Sequence, residues 1–195
     1  MSAPGKYTVE LSQQLDGVVT PLGEAQEFLV EPMAPGSLKG APTQQVVEFW
    51  QAISDIKRDA SATHYALEEA QNKVKMLALA LQRSKASPGN LDQQLHGIRS
   101  ELLDISHQLN GDASKFEVYL NNVKTVSNLI GVAELGTSFS TYGPTPTHRQ
   151  SLKLALKKLD LEKAKLKAII ELKIPTLEKQ LRENGAPWVK QQRLP

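Results

Sequence analysis

Residues 44–85, QQVVEFWQAISDIKRDASATHYALEEAQNKVKMLALALQRSK, decide the fold. In them Val46, Phe49, Ile53, Ile56, Ala60, Thr63, Leu67, Ala70, Val74, Leu77 and Leu81 recur in steps that alternate three and four. A seam of that period, held over about five heptads, marks a long amphipathic helix packed along its whole length. Thr43 stands where an N-cap is expected, and Ser87-Pro88-Gly89 ends the run. Asn90 then caps a second helix over 91–109, in which Leu91, Leu95, Ile98, Leu102, Ile105 and Leu109 keep the same spacing. Asn110-Gly111 is a helix stop, and the short break between the two helices predicts an antiparallel αα-hairpin.

Further along, Val123, Val126, Leu129, Ile130 and Val132 predict a short helix over 118–133, lying across an end or a side of the bundle. Gly136 to Pro146 reads as a loop. Thr145 caps and Pro146 opens a last helix over 147–184, roughly 57 Å long at 1.5 Å per residue. Pro175 is expected to kink it, because proline removes one backbone donor. Gly185 and Pro187 close it.

Upstream the pattern changes. Tyr7, Val9 and Leu11 alternate with Lys6, Thr8 and Glu10, the period of a half-buried strand, and Glu27-Phe28-Leu29-Val30-Glu31 repeats the signal after Asp16-Gly17 and Pro21-Leu22-Gly23. These runs predict a hairpin with a long connection over Ser12 to Gln26. Pro32, Pro35, Gly36, Gly40 and Pro42 follow as a linker in which no helix can run. The predicted fold is therefore mainly α, an antiparallel bundle of three long helices plus a short one, preceded by a small N-terminal β-hairpin. The divisions fall at 1–42 for hairpin and linker, 43–188 for the bundle and 189–195 for a tail.

Composition narrows the functional classes. Lys and Arg number 23 against 21 Asp and Glu, for a net charge of +2 in 195 residues. That balance argues against a nucleic acid or a membrane surface as partner. Cysteine is absent, which excludes disulfides, zinc–thiolate sites and thiol nucleophiles. No apolar run approaches the ~20 residues of a membrane-spanning helix, and Met1 to Tyr7 show no signal-peptide pattern.

The chemistry-bearing residues form no site. His96 and His107 lie on nearly one helix face but about 16 Å apart. Neither they nor His64 and His148 belong to a Glu-x-x-His or His-x-x-x-His pair, so no metal ligand set is read. Gly136-Thr137-Ser138 is no nucleophile elbow, and Glu68-Glu69 reads as solvated charge. No catalytic, cofactor-binding or metal residue is assigned, and the chain is expected not to be an enzyme. From Lys153 to Arg182, nine cations face the four acids Asp160, Glu162, Glu171 and Glu178, a local +5. A basic helix face can hold an anionic partner. The favoured reading is a solvated face whose lysines pair with acids on the neighbouring helix, such as Glu68, Glu69, Glu101 or Asp104, since few aromatics interleave with the lysines.

Two phrases at opposite ends carry a resemblance. Pro4-Gly5-Lys6-Tyr7-Thr8-Val9-Glu10-Leu11 looks like a turn and late strand of a bacterial Ig-like or fibronectin-like sandwich. Pro144-Thr145-Pro146-Thr147-His148-Arg149, then a long helix with Ile174-Pro175-Thr176-Leu177-Glu178, then Gly185-Ala186-Pro187-Trp188, follow one order. That order resembles the C-terminal region of large bacterial sortilin-like proteins with BNR/Asp-box propeller repeats, often labelled glycosyl hydrolases. The resemblance runs from about Pro4 to Trp188. It implies an exported parent, a propeller or β-sandwich as partner, a hairpin lacking its partner strands, and Trp188 docked on the bundle. The Ser-x-Asp-x-Gly-x-Thr-Trp Asp-box itself is missing, so nothing the propeller binds or cleaves is assigned to this chain. The expected function is a non-catalytic C-terminal module that braces the propeller or mediates assembly. The second expectation is a free-standing helical scaffold that pairs, or self-associates, through its heptad seam. Candidate interaction residues are Trp188, Lys163, Lys167, Tyr7 and Phe28.

Overall fold

The computed structural model describes residues 4–31, 40–84, 89–112, 114–115, 124–138, 140 and 142–188. The fold is mainly α. The long seam forms α1 (Thr43–Gln82), a single helix of 40 residues, about 60 Å long. Ten of its eleven seam positions are buried, Ala60 alone being half-buried. The hairpin partner is α2 (Leu91–Asn110), whose six seam residues are all buried. Gly111, at φ 89°, supplies the left-handed residue that stops it.

At 20 residues, α2 covers only half of α1. The rest is covered by α3 (Val126–Ser138), which continues in the direction of α2 instead of crossing an end of the bundle. Ser127 Oγ donates to Asn110 Oδ1 at 2.9 Å, where α2 ends, and Asn110 Nδ2 lies 3.3 Å from His64 Nδ1 at the middle of α1. Farther along, Glu134 meets Lys57 at 2.6 Å. The expected short helix thus runs on past its predicted end to Ser138, and the first part of the expected span, residues 118–123, lies outside the described residues. Gly136, Thr137 and Ser138 belong to it and not to a loop, because Thr137 is buried and its hydroxyl donates to the Ala133 carbonyl at 2.8 Å. Val123, Pro32, Pro35, Gly36, Ser87, Pro88 and residues 189–195 lie outside the described residues.

The third rod consists of α4 (Pro146–Ala168), a π-helical turn over Ile169–Lys173 and α5 (Ile174–Glu183). It lies parallel to α1: Arg149 stands over the Phe49 ring, Lys163 reaches Asp59, Lys73 reaches Glu178, and Ser84 Oγ donates to the Asn184 carbonyl. Thr145 caps the rod as expected, with its side chain accepting from His148 N–H while its own N–H donates to His148 Nδ1, each at 3.3 Å. Pro175 acts differently from the expected simple kink. Just before it, Ile174 N–H donates to the Ile169 carbonyl five residues back. This wide turn precedes the proline ring, whose clash with the carbonyl four residues earlier would otherwise break the ladder. It also keeps both Ile169 and Ile174, five apart, on the core face. At the other end, Pro42 precedes α1 with no side-chain cap bond, so Thr43 is its first helical residue and not its cap.

One continuous apolar core runs between the three rods. Residues 40–42 are tied to it because Ala41 N–H donates to the Tyr142 carbonyl at 2.8 Å. Gly143, at φ 96°, gives Ala41 the room to approach. Gly136 likewise gives its missing Cβ volume to the His148 ring, which joins α3 to the start of α4.

Leu67, 1% exposed in the middle of α1, tests the register of the seam. Leu67→Asp should cost at least ~4 kcal/mol and abolish cooperative unfolding by circular dichroism; wild-type melting would show the phase to be wrong. Gly136→Ala should cost about 1–3 kcal/mol through overpacking. Measured in a His148→Ala background that cost should shrink, since the clashing ring is gone.

Candidate interaction surface

The N-terminal segment folds as one long ribbon. β1 (Gly5–Val9) pairs antiparallel with β4 (Gln26–Val30), and β2 (Ser12–Leu15) pairs antiparallel with β3 (Val18–Pro21). The expected long connection is therefore itself a hairpin. Its tip is Asp16-Gly17, with φ 50° and 83°, a two-residue turn of the kind whose twist suits flanking strands. Leu22 N–H donates to the Leu11 carbonyl at 2.8 Å and links the two ladders.

The register sorts the side chains. Tyr7 faces Phe28, and their rings stack with centroids 5.9 Å apart. Val9, on the same face, pairs with Gln26, and Gly5 pairs with Val30. Lys6, Thr8 and Glu27 take the other face with Leu29. In the outer hairpin Leu15 and Val18 oppose each other, with Gln13 and Thr20 next and Leu11 and Leu22 beyond. The strand is interrupted at Glu10 and Leu11 and the two ladders are offset by two residues, so Tyr7, Val9 and Phe28 share a face of the inner ladder and Leu15 and Val18 a face of the outer one. Among the described residues nothing covers these faces, where Val9, Leu11, Leu15, Val18, Leu22 and Phe28 are all between 49% and 69% exposed, and the opposite faces bare Val19 and Leu29 as well. Each sheet has two strands, and such a ribbon alone is marginal in water. Its charge is also one-sided, with Lys6 against Glu10, Asp16, Glu24, Glu27 and Glu31, net −4 over residues 4–31.

The other candidate residues lie apart from the ribbon. Lys163 is held by Asp59 at 2.8 Å. That hydrogen bond holds the Asp59 carboxyl below the usual carboxylate range and raises the Lys163 ammonium above the usual lysine range. Lys167 lies 3.9 Å from Glu171. Both lysines border a shallow groove of about 410 Å³ floored by Ala62, Ala66 and Ile170. Farther along, Lys173 closes on Glu101 at 2.5 Å, so part of the basic run is spent on neighbouring helices. Trp188 is 57% exposed and not docked; the last residue packed on the core is Ala186. Its position follows from the chain turning away at Gly185, φ 71°, where Ala186 N–H caps the Leu181 carbonyl.

One buried charge has a signal in the sequence that went unused. Leu152, Ala155, Leu159, Glu162, Leu166 and Ile169 step by three and four, and Glu162 occupies a core position at 2% exposure. Its single ion-pair partner among the described residues is Lys165, at 2.9 Å and half-exposed. Glu162 therefore belongs to the core and offsets none of the surface cations of the basic run except Lys165. Among the described residues no three His, Asp or Glu side chains gather as metal ligands. His64 lies 3.4 Å from Glu68, and His148 serves as a helix cap. No described helix is long and apolar enough to cross a membrane.

No family model matches the chain, and no curated protein or solved structure matches it.

Replacing a buried, thinly paired charge by an apolar group of similar size is often stabilising. Glu162→Leu should raise stability by about 1–2 kcal/mol, read as a higher Tm. Lys165→Ala, which strips the partner and leaves the carboxylate buried, should lower it.

Proposed function

We propose that the chain is a non-catalytic structural and interaction module: a self-contained helical body that carries an adhesive β-ribbon. The observation behind this reading is the contrast between the two parts. The helices cover their own seams, whereas the ribbon leaves an apolar face bare, and no third strand joins either of its sheets among the described residues. Unpaired strand edges are templates for strand addition. The ribbon would therefore hydrogen-bond along an edge with a β-rich partner. The resemblance to sortilin-like propeller proteins supplies one such partner, the propeller or β-sandwich of a larger exported parent, which the module would brace. A scaffold acting through the α1 seam has less support, because that seam is already buried within the chain.

Removing residues 1–31 should leave the unfolding free energy of the helical part unchanged within about 0.5 kcal/mol, the range of substitutions that touch no packed feature, read as an unshifted Tm. A marked loss of Tm would make the ribbon a structural part of the bundle and end this reading. A genomic neighbourhood without a propeller-coding sequence, in frame or adjacent, would remove the parent while leaving the docking arm intact.

A further inference from the structure

α1 is tied by an ion pair to each helix it packs against except α2. Lys57 meets Glu134 of α3 at 2.6 Å, Asp59 meets Lys163 of α4 at 2.8 Å, and Lys73 meets Glu178 of α5 at 2.9 Å. Between α1 and α2 two cations stand instead. Lys75 and Arg99 line one groove from its two walls, with His96 a turn away from Arg99. Both are exposed, and neither has a charged or hydrogen-bonding partner among the described residues. Like charges on facing helices repel and cost the free fold stability.

The groove extends from Gln71 to Gln82 on α1 and from Asp92 to Leu103 on α2, about 16 Å or three helical turns. Its volume is about 820 Å³ in the middle and about 420 Å³ toward the break between the helices. A helix 10 Å across, half sunk over that length, occupies roughly 650 Å³. Leu79 on one wall and Leu103 on the other remain 36% and 51% exposed, above the buried Leu102. Asp92 is the one acid among the lining residues. It stands at the far end, in the first turn of α2, where the unsatisfied N–H groups of the helix balance it. Glu68, seven residues before Lys75, lies 3.4 Å from His64, and Glu101 is turned to Lys173. Asp104 lines neither part of the groove.

We infer that this groove receives an amphipathic helix of another protein, with an apolar stripe flanked by Asp or Glu. The stripe lies between Leu79 and Leu103, and the acids reach Lys75 and Arg99. Both halves of that description are needed. A phosphate or other polyanion would answer the cations but leave the two leucines in water, and an uncharged apolar helix would leave the repulsion in place. Antiparallel helices are ordinarily covered by a further helix, and unlike charges fix its position. The inference goes beyond the ribbon reading and shares no residue with it, so removal of residues 1–31 should leave this binding unchanged.

The probe is a synthetic helical peptide with Leu at i, i+3 and i+7 and Glu at the flanking positions, labelled and titrated with the full chain by fluorescence anisotropy. It should bind, and at least tenfold more weakly at high salt. Lys75→Glu, Arg99→Glu and Leu103→Ser should each weaken binding at least tenfold, and the same peptide with Lys in place of Glu should not bind. In the free chain Arg99→Glu should raise Tm, because Lys75 gains an opposite charge; binding and folding then move in opposite directions. A fall in Tm for Arg99→Glu would make the cations part of the fold and overturn the inference. So would absence of binding up to millimolar peptide, or equal binding of the Lys peptide. Inorganic polyphosphate that binds Leu103→Ser as well as the unaltered chain would give the groove to a polyanion. A dimer that forms without peptide and is lost in Arg99→Glu would give it to a second copy; either result overturns the helix.

Discussion

Everything in the helical part follows from the need to cover the seam of α1. A row of apolar side chains extending from Val46 to Leu81 on one helix cannot stay in water, and no single short helix can shield it. Two rods answer the demand. One is the broken pair α2 and α3, joined end to end at Asn110 and Ser127. The other is the parallel rod that starts at Pro146 and continues through the π-turn to Glu183. Ion pairs from Lys57 to Glu134, Lys163 to Asp59 and Lys173 to Glu101 mark the rod contacts at the surface. Exposed as they are, such pairs set register more than they add stability; the buried leucines and isoleucines between them carry the energy.

The seams of α1 and α2 were legible in the sequence because both obey one strict rule of spacing. The last rod obeys it only up to Ile169. There the next core residue is Ile174, five positions on, and a reading in threes and fours loses the thread. The π-turn supplies the missing step, so a proline that looks like a defect marks the place where the helix changes phase. The same rule would have placed Glu162 in the core, had the pattern been followed by position and not by polarity. Gly136 misled for a different reason. Glycine and serine are loop residues by propensity, but here packing wins: the His148 ring needs the space that a side chain would fill, and Thr137 satisfies its hydroxyl on the helix itself.

The ribbon shows the opposite balance of evidence. Its alternation was plain in Tyr7, Val9 and Leu11, yet alternation implies a covered face, and the helices do not cover it. The extra hairpin of β2 and β3 was missed because Ser12, Gln13 and Gln14 show no apolar alternation, and the turn at Asp16-Gly17 was the one signal available. The resemblance implied a Trp188 docked on the bundle, whereas the turn at Gly185 carries it away from the core and leaves it 57% exposed.

A surface that has a core's composition without a core's cover is a statement about a partner. Soluble chains rarely leave large contiguous apolar faces bare, and two-stranded ribbons rarely persist without something to lie on. The helical body cannot be the reason for the ribbon, since its own core is continuous without it. What selects among partners is charge, because hydrophobic contact is indifferent to identity and electrostatic complementarity is not. Five acids against one lysine on the ribbon ask for a basic surface.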